Sequence, residues 1–332
     1  MNIASAFLMG TKIKEAEVPD EPWTKIATFP NTSGISIEKS GIAYNGNIYV
    51  TAGRVNVPRY ETVNFTVYKF NGKTWSEAVT LTSGSSEYTG WTFNKGSMLF
   101  FTHAGKLYMT HAHFGDYGGG GPKMGWVFDG STWQAWDVPV GNLSQAIEKN
   151  GKLYLFETGR RGAWNVSYWW NVYEYNDSDG SATLVAQNVA DYMVSGSQDG
   201  RPLITNLNGE LHAIGTYRYN PNGQHHFIIN DDWSCTQLNA APSSTCAIIA
   251  YKNKIHAFLQ DNTCYHVVWE SVNDVWEAGD TSPYTQASGI SGWLKTMPIL
   301  YKKKLVLLGV TNGSDDTQYY KTQFDEFYRY NK

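Results

Sequence analysis

Charged residues are scarce in this chain of 332 residues, where Asp, Glu, Lys and Arg make up 17% of the sequence, against about 25% in average domains. The two signs nearly balance, with 26 basic and 30 acidic residues and a formal net charge of -4. Proteins that hold nucleic acid or anionic membranes by charge are usually strongly basic. The composition therefore argues against a nucleic-acid partner.

Long apolar runs are also missing. No stretch approaches the roughly 18 consecutive apolar residues that a membrane-spanning helix needs, so we predict no membrane insertion. The apolar run at the start, Ile3 to Met9, is shorter than a typical signal core and has no basic residue before it. We therefore expect a protein that is made in the cytoplasm without a secretory signal.

Cysteine is rare, with Cys235, Cys246 and Cys264 as the three examples. Three thiols in a chain of this length do not make a disulfide framework, so free thiols are expected. Aromatic residues are abundant instead, at 15%, and there are 32 glycines. Many aromatics and glycines with little charge are typical of a protein that is rich in sheets and turns.

One short pattern recurs six times, and it consists of a tight polar turn followed by alternating apolar residues. The first copy is Asn45 to Val50. The aligned apolar anchors are Ile48, Leu107, Leu153, Leu211, Ile255 and Leu305. Their mean spacing is (305 − 48)/5, or about 51 residues, which lies in the range of β-propeller blades.

Each copy is part of two predicted hairpins. An apolar run precedes the turn, and the turn residues are Asn-Gly, Ala-Gly or Lys-Asn, of which Asn and Gly accept the positive φ that two-residue hairpins need. A second hairpin follows in each unit. In four units a tryptophan comes just after its turn, and these are Trp75, Trp133, Trp233 and Trp276. We expect these rings to wedge between neighbouring sheets, and all the hairpin turns to be two to four residues long.

The sixth unit ends after its third predicted strand, near Asn331. The missing fourth strand is found at the other end of the chain, in residues 21–28, where Trp23 takes the place of the tryptophans above. The sequence therefore predicts an all-β fold, a six-bladed β-propeller over residues 21–332, with the N-terminal strand closing the last blade. A closed ring removes exposed sheet edges.

The blades resemble those of the kelch family. The kelch pairing of Tyr and Trp around a turn is visible in Tyr68 and Trp75, and less fully in Trp126 and Trp133. The kelch Gly-Gly pair is reduced to one glycine at four positions, Gly53, Gly159, Gly215 and Gly309. The resemblance implies a kelch-like propeller, and it implies an intracellular protein-interaction scaffold as an alternative function.

The two faces of such a propeller differ. The short turns share one face, here the hairpin face. The long connections share the other, here the loop face, and they run over residues 53–66, 79–96, 112–125, 137–142, 158–171, 186–200, 215–226, 239–244, 259–266, 278–295 and 309–322. Loops on a rigid scaffold often carry function. We therefore predict a non-catalytic binding face for a bacterial surface glycan or protein, with the candidate residues Tyr60, Phe114, Tyr117, Arg160, Arg161, Trp164, Tyr168, Trp169, Trp170, Tyr217, Tyr219, Tyr319 and Tyr320.

Two chemical alternatives stay open. His111 and His113, with His103 and Asp116 nearby in sequence, have the residue types of a metal site. The pairs Asp231–Asp232 and Asp315–Asp316 have the residue types of a glycoside hydrolase. Loop histidines and turn aspartates explain these residues more simply. We therefore predict no metal, no cofactor and no catalytic residue, and we keep a carbohydrate-active enzyme as a second alternative.

Residues 1–20 precede the ring. Their apolar residues, Ile3, Phe7, Leu8 and Met9, predict an assembly anchor, and a cap over the mouth of the ring is the alternative. An anchor joined to an aromatic-rich propeller resembles, in plan, the receptor-binding proteins of phage tails and of phage-tail-like bacteriocins. That resemblance implies tail, baseplate or fibre subunits as partners, and a place in a released particle.

Overall fold

A computed structural model describes residues 21–30, 38–53, 64–82, 98–111, 124–141, 143–161, 165–195, 202–215, 224–243, 245–259, 266–280, 283, 293–312 and 326–332. These residues form antiparallel β-strands in six four-stranded sheets. No helix in these ranges is long and apolar enough to cross a membrane. The predicted anchor residues Ile3, Phe7, Leu8 and Met9 lie outside the described residues, so the division into residues 1–20 and 21–332 stays a prediction.

The strands are numbered in chain order, and each sheet is one blade. The strand β1 is Trp23–Thr28 and belongs to the last blade. Blade I contains β2 to β5, at Glu38–Tyr44, Asn47–Gly53, Asn64–Phe70 and Trp75–Thr82. Blade II contains β6 to β9, at Met98–His103, Lys106–His111, Met124–Phe128 and Trp133–Asp137. Blade III contains β10 to β13, at Leu143–Lys149, Lys152–Arg161, Asn165–Tyr175 and Ala182–Ser195.

The second half of the chain repeats the arrangement. Blade IV contains β14 to β17, at Pro202–Leu207, Glu210–Gly215, His226–Ile229 and Cys235–Gln237. Blade V contains β18 to β21, at Thr245–Tyr251, Lys254–Leu259, His266–Glu270 and Val275–Ala278. Blade VI contains β22, β23 and β24, at Trp293–Tyr301, Lys304–Asn312 and Glu326–Tyr330, and β1 is its outer strand.

The six sheets form a closed ring. The first strands of successive blades contact each other in order, and β22 of blade VI contacts β2 of blade I. The ring closes where β1 pairs antiparallel with β24, with Trp23 opposite Tyr330. The predicted six-bladed propeller, closed by the N-terminal strand, is confirmed.

The predicted tryptophan wedges are confirmed as well. Each of these rings packs against the preceding blade, so Trp75 of blade I lies 5.6 Å from the ring of Phe327 in blade VI. The Trp23 ring, which belongs to blade VI, lies 6.4 Å from Phe258 in blade V. Aromatic pairs at these distances add to the apolar area that the blades bury.

The turns on the hairpin face differ from expectation in two blades. The second turns span residues 176–181 in blade III and 230–234 in blade IV, which is longer than two to four residues. The first turns are two residues long in every blade, and their backbones have the positive φ of tight hairpins, as at Asn45 (φ 44°) and Gly46 (φ 73°). Lysine occupies both such positions in blade VI, Lys302 (φ 48°) and Lys303 (φ 60°).

A ring of contacts between blades lies just inside the hairpin face. The last residue of each first strand is buried, and most of these residues reach the next blade. The Tyr44 hydroxyl donates to the Gly105 carbonyl at 2.7 Å, and the Tyr301 hydroxyl donates to the Gly46 carbonyl at 3.0 Å. The Lys149 Nζ donates to Asp231 at 2.5 Å. These contacts join blades I to II, VI to I and III to IV.

Candidate functional site

The described strands of blade III extend far toward the loop face. The described part of β11 reaches Arg161, eight residues past the anchor Leu153, whereas the described parts of β7, β15 and β19 reach four residues past their anchors. At about 3.3 Å per residue, Arg161 lies about 26 Å along the strand from Leu153. We call residues 158–161, 165–170 and 189–195 of this blade the blade III projection.

Strand pairing within the projection brings several predicted binding residues together. Arg160 pairs with Tyr168, and Tyr168 pairs with Tyr192 on β13. Gly159 pairs with Trp169 in the same ladder. These positions are therefore fixed by backbone hydrogen bonds to neighbouring strands. The sequence contains a detectable signal for this, because residues 165–173 alternate in the manner of a strand.

For the described residues, the prediction that 158–171 form a loop is wrong, and so is the prediction for 186–195. Strands occupy the described part of both segments, to Arg161 in β11, from Asn165 in β12 and to Ser195 in β13. The pairing of β12 with β13 contains several register shifts. The aromatic residues of this segment are also typical of long loops, so composition alone does not reveal the strands.

Blade VI also extends on the loop face. Its strand β22 begins at Trp293, which pairs with Asn312 at the end of β23. The strand β23 ends seven residues past its anchor, Leu305. Blades III and VI are three blades apart in a ring of six, so they lie opposite each other. Their projections therefore stand on two sides of the loop-face mouth of the ring.

One predicted binding residue is misassigned. Trp170 is fully buried, in a core cluster with Phe156, Val189, Leu211 and Phe227. Successive residues of a strand point to opposite faces, and at this position the interior face packs against blade IV. Trp170 therefore stabilises the junction between blades III and IV and does not reach a ligand.

The other predicted binding residues divide into two groups. Four lie on strands of the blade III projection, namely Arg160, Arg161, Tyr168 and Trp169. The rest lie outside the described residues, and these are Tyr60, Phe114, Tyr117, Trp164, Tyr217, Tyr219, Tyr319 and Tyr320.

Carboxylates are sparse along the wall of the central channel of the ring. The first strands of the six blades build this wall, and the carboxylates in the described part of these strands are Glu38 and Glu148. They belong to opposite ends of their strands, Glu38 at the loop face and Glu148 at the hairpin face. Glu148 is engaged by His103 of blade II, at 2.8 Å. The described channel wall therefore lacks the carboxylate pair that glycoside hydrolysis uses.

The candidate pair Asp231–Asp232 is structural. Both residues lie in the second turn of blade IV on the hairpin face, away from the loop face. Asp231 pairs with Lys149. Asp232 accepts hydrogen bonds from the backbone and hydroxyl of Ser234, which lower the pKa of its carboxyl. The pair Asp315–Asp316 lies outside the described residues.

His103 and His111, two of the residues weighed as metal ligands, are far apart in the fold. They lie at opposite ends of the hairpin β6–β7, where His103 pairs with Lys106 and His111 pairs with Met98. The buried His103 ring instead joins Glu148 and Asp177 of blade III, each at 2.8 Å. No group of three metal-ligating side chains was found among the described residues, and His113 and Asp116 lie outside them.

Sequence reasoning missed two buried histidine pairs. His212 Nδ1 lies 3.1 Å from His226 Nε2 in blade IV, and His256 Nδ1 lies 2.8 Å from His266 Nε2 in blade V. In both blades the first histidine directly follows the apolar anchor, a position that blade I fills with Tyr49. The alignment of the repeats contains this signal, since the same substitution occurs twice.

These histidines are kept neutral by their surroundings. Desolvation by burial, followed by the neighbouring His212, lowers the pKa of His226 to about 3. Burial likewise lowers the pKa of His256 and of His266 to about 4. Neutral rings in contact with each other act as packing groups between the sheets, and nothing in their geometry leads to the loop face.

A polar contact lies at the base of the blade III projection. The Glu157 carboxylate accepts hydrogen bonds from the Tyr173 hydroxyl at 2.9 Å and from the Asn171 amide at 3.1 Å. Burial, followed by the bond to Glu157, raises the pKa of Tyr173 to about 12. The contact ties β11 to β12 just below Arg160, so it supports the projection.

Comparisons with known proteins show the fold. No protein-family model matches the chain, and no curated protein matches its sequence. A luciferin-regenerating enzyme is similar in structure, with a TM-score of 0.52 and 11% identity, over 92% of this chain and 94% of that one. A sialidase from Trypanosoma rangeli has a TM-score of 0.50 and 11% identity, over 89% of this chain and 55% of that one.

A family 117 glycoside hydrolase from Zobellia galactanivorans has a TM-score of 0.48 and 14% identity, over 73% of this chain and 84% of that one. None of these three proteins is a phage-tail protein. At 11% identity, the likeness to the luciferin-regenerating enzyme and to the sialidase shows a propeller fold and nothing finer.

Proposed function

We propose that this propeller is a carbohydrate-directed protein that binds a glycan on its loop face, against the blade III projection. The observation that carries the proposal is the placement of Arg160, Arg161, Tyr168 and Trp169 on paired strands that extend toward the loop face. Aromatic planes stack on the C–H faces of sugars, and guanidinium groups donate to hydroxyls and carboxylates.

The scaffold suits such a role. Binding residues on strands are held more rigidly than residues on loops, so less conformational entropy is lost when a ligand binds. Glu157, Asn171 and Tyr173 brace the base of the projection through their hydrogen bonds. The sialidase with a similar fold is an enzyme of carbohydrates, which is consistent with a sugar ligand here.

Glycoside hydrolysis on the same face is the second candidate. Its support is that two of the structures reported above, the sialidase and the family 117 glycoside hydrolase, are enzymes that act on carbohydrates. The described channel wall lacks a carboxylate pair, so catalytic carboxylates would have to come from residues outside the described ranges.

A more specific function is also a proposal. In this proposal, the glycan belongs to a bacterial surface and the protein is displayed on a phage tail or tail-like particle, where many weak sites act together. Its support is the plan of the sequence, an apolar segment at residues 1–20 joined to a propeller. The kelch-type interaction scaffold is the corresponding alternative for a protein ligand.

A glycan array followed by calorimetry tests the proposal. We expect a glycan to bind, and Arg160→Ala combined with Tyr168→Ala to weaken binding at least about tenfold, which is about 1.4 kcal/mol. Arg329→Ala on the hairpin side is the matched control and leaves affinity unchanged. Equal affinity for the double variant would contradict the proposal. Release of reducing sugar from the bound glycan would favour the hydrolase instead.

A further inference from the structure

The hairpin face has a strongly uneven charge. Its first and second turns lie within the described residues in blades I to V, so its charges are known there. Exposed lysines are concentrated on three adjacent blades, V, VI and I, and they form what we call the lysine arc: Lys73, Lys252, Lys254, Lys302, Lys303 and Lys304. No ion pair in the described part of the chain involves these residues.

Exposed carboxylates occupy the other half of the same face. They lie on blades II, III and IV and form the acidic arc: Asp129, Glu148, Asp177, Asp179, Glu210, Asp231 and Asp232. Two lysines on these blades form ion pairs, Lys149 with Asp231 and Lys152 with Glu174 at 2.8 Å, so Asp231 adds little net charge to the acidic arc. Lys106 is the exposed exception.

The centres of the two arcs are opposite each other. Three consecutive lysines mark blade VI, and three carboxylates mark blade III, which lies across the ring. Glu270 and Asp274 of blade V are carboxylates on the side of the lysine arc, and both accept hydrogen bonds from the chain itself. Glu270 accepts from the backbone of Val272 and Asn273, and Asp274 accepts from the Trp269 indole and from the Asn239 backbone. Lysines outnumber these two carboxylates on blades V, VI and I by six to two.

The turns that carry the lysines are costly in conformation. Lys252, Lys302 and Lys303 have φ of 48°, 48° and 60°, in the left-handed region that costs an L-residue with a Cβ about 1–2 kcal/mol. Blades I, III and IV avoid this strain at the second turn position with Asn-Gly. Lys303 alone departs from the glycine or asparagine that the other five blades have at the second turn position, so blade VI accepts this strain to place a lysine there.

We infer that the hairpin face binds a second copy of this chain, with the lysine arc of each copy against the acidic arc of the other. A two-fold axis that lies in the plane of the interface brings each residue of one copy opposite the position on the other copy that is reflected across that axis. When the axis is perpendicular to the line from blade VI to blade III, blade VI of each copy faces blade III of the other. Such an interface is self-complementary, as a two-fold dimer requires.

A second copy fits better than a polyanion. A polyanion large enough to cover the face would meet seven carboxylates as well as six lysines, and the chain is already acidic at a net charge of -4. Hydrogen bonds from Ser181 and Ser234 lower the pKa of Asp179 and Asp232. The acidic arc therefore keeps its charge into mildly acidic solution.

The dimer has a consequence that rests on the proposed function. Two copies joined by their hairpin faces present their loop faces in opposite directions, so one dimer can bridge two glycan-bearing surfaces. The dimer itself does not depend on sugar binding, and its test below uses no sugar. Failure of one proposal therefore leaves the other standing.

The experiment is sedimentation velocity on the full chain with charge-reversed variants. In about 20 mM salt, where charges are weakly screened, we expect twice the monomer mass, and in about 0.5 M salt we expect the monomer. Lys303→Glu with Lys304→Glu gives a monomer, and so does Asp179→Lys with Glu210→Lys. Mixing the two monomeric variants restores a dimer, because each supplies the charge that the other has lost.

The variants are chosen to keep the fold. Four blades already carry lysine at the position of Glu210, namely Lys106, Lys152, Lys254 and Lys304. A single Lys303→Glu is compared with Lys25→Glu, which makes the same charge change on the outer strand β1 and leaves the dimer intact. A monomer at low salt overturns the inference, as does a dimer that both reversals leave unchanged.

Two other occupants of the face would appear as contrary results. If deletion of residues 1–20 is needed before the dimer forms, the chain's own N-terminal segment covers the face. If the protein stays monomeric and binds polyphosphate through Lys303 and Lys304, the lysine arc is an anion site.

Discussion

Equivalent positions of the repeat carry different side chains in different blades. The residue after the apolar anchor is Tyr49, Tyr108 and Tyr154 in the first three blades, and His212 and His256 in the next two. Each of these two histidines contacts a second histidine on the neighbouring strand. Burial keeps the pairs neutral, so they act as packing groups whose contribution depends on pH.

The neutral pairs predict that stability falls with acid. The unfolded chain begins to bind protons near the ordinary histidine value of about 6.5, whereas the folded His256–His266 pair stays neutral until about pH 4. The unfolded state therefore binds more protons between these values, and the free energy of unfolding decreases as pH falls through this window. Urea unfolding between pH 7 and pH 4.5 measures it.

A matched variant isolates this effect. His256→Tyr with His266→Val copies the residues that blade I has at these positions, Tyr49 and Val67. The pH dependence should become shallower by about 1.4 kcal/mol per pH unit for each histidine removed. An unchanged dependence would show that other groups cause the acid sensitivity.

Sequence patterns at the residue scale predicted the turns and the packing of the tryptophans between blades better than they predicted side-chain contacts between blades. The Asn-Gly turns and the tryptophans follow local rules, and they lie where predicted. The partners of His103 could not be predicted, because Glu148 and Asp177 are 45 and 74 residues away in sequence. The burial of Trp170 depends on a neighbouring blade, which no local pattern describes.

At the scale of elements, the number of strands follows from the repeat, whereas the ends of the strands do not. All six units align by their anchors, but the repeat does not reveal that strands occupy residues 158–161, 165–171 and 186–195. Paired strands and aromatic-rich loops have similar compositions, and the pairing of Arg160 with Tyr168 distinguishes them. This pairing supports the proposed function, because strands hold side chains more rigidly than loops.

The turn of blade VI offers a test at this scale. Replacing Lys302 by Asn and Lys303 by Gly installs the turn used by three other blades and removes backbone strain. We expect the free energy of unfolding to rise by about 1–2 kcal/mol, while self-association weakens. Thermal unfolding in about 0.5 M salt separates the two effects, since the dimer is dissociated there. A less stable variant would contradict the assignment of strain to this turn.

At the scale of the whole molecule, both ends of the chain share blade VI. Trp23 of β1 is buried among Phe258, Leu307 and Tyr330. The closing strand was predictable because the last unit lacks a strand and residues 21–28 supply one. The hairpin-face charges were visible residue by residue, but their separation into two arcs appears only when the ring is assembled.

Truncation separates the closing strand from the residues before it. Removing residues 1–20 should leave a ring that unfolds in one cooperative transition. Removing residues 1–28 also removes Trp23, and deletion of a buried tryptophan ring alone costs about 3–5 kcal/mol. Calorimetry should therefore show a much lower transition temperature, or none, for the longer deletion. Equal stability of the two truncated chains would mean that β1 does not close the ring.

Cross-linking across the closure tests the central claim most directly. Thr24 and Arg329 are cross-strand partners in the closing pair, so both are changed to cysteine in a chain whose Cys235, Cys246 and Cys264 are replaced by alanine. A short bis-maleimide should join the two peptides within one monomer, as read by mass spectrometry. The control pair, Thr24→Cys with Glu77→Cys on β5 of blade I, should stay unlinked. If the first pair stays unlinked in a folded monomer, the closed six-bladed ring is contradicted.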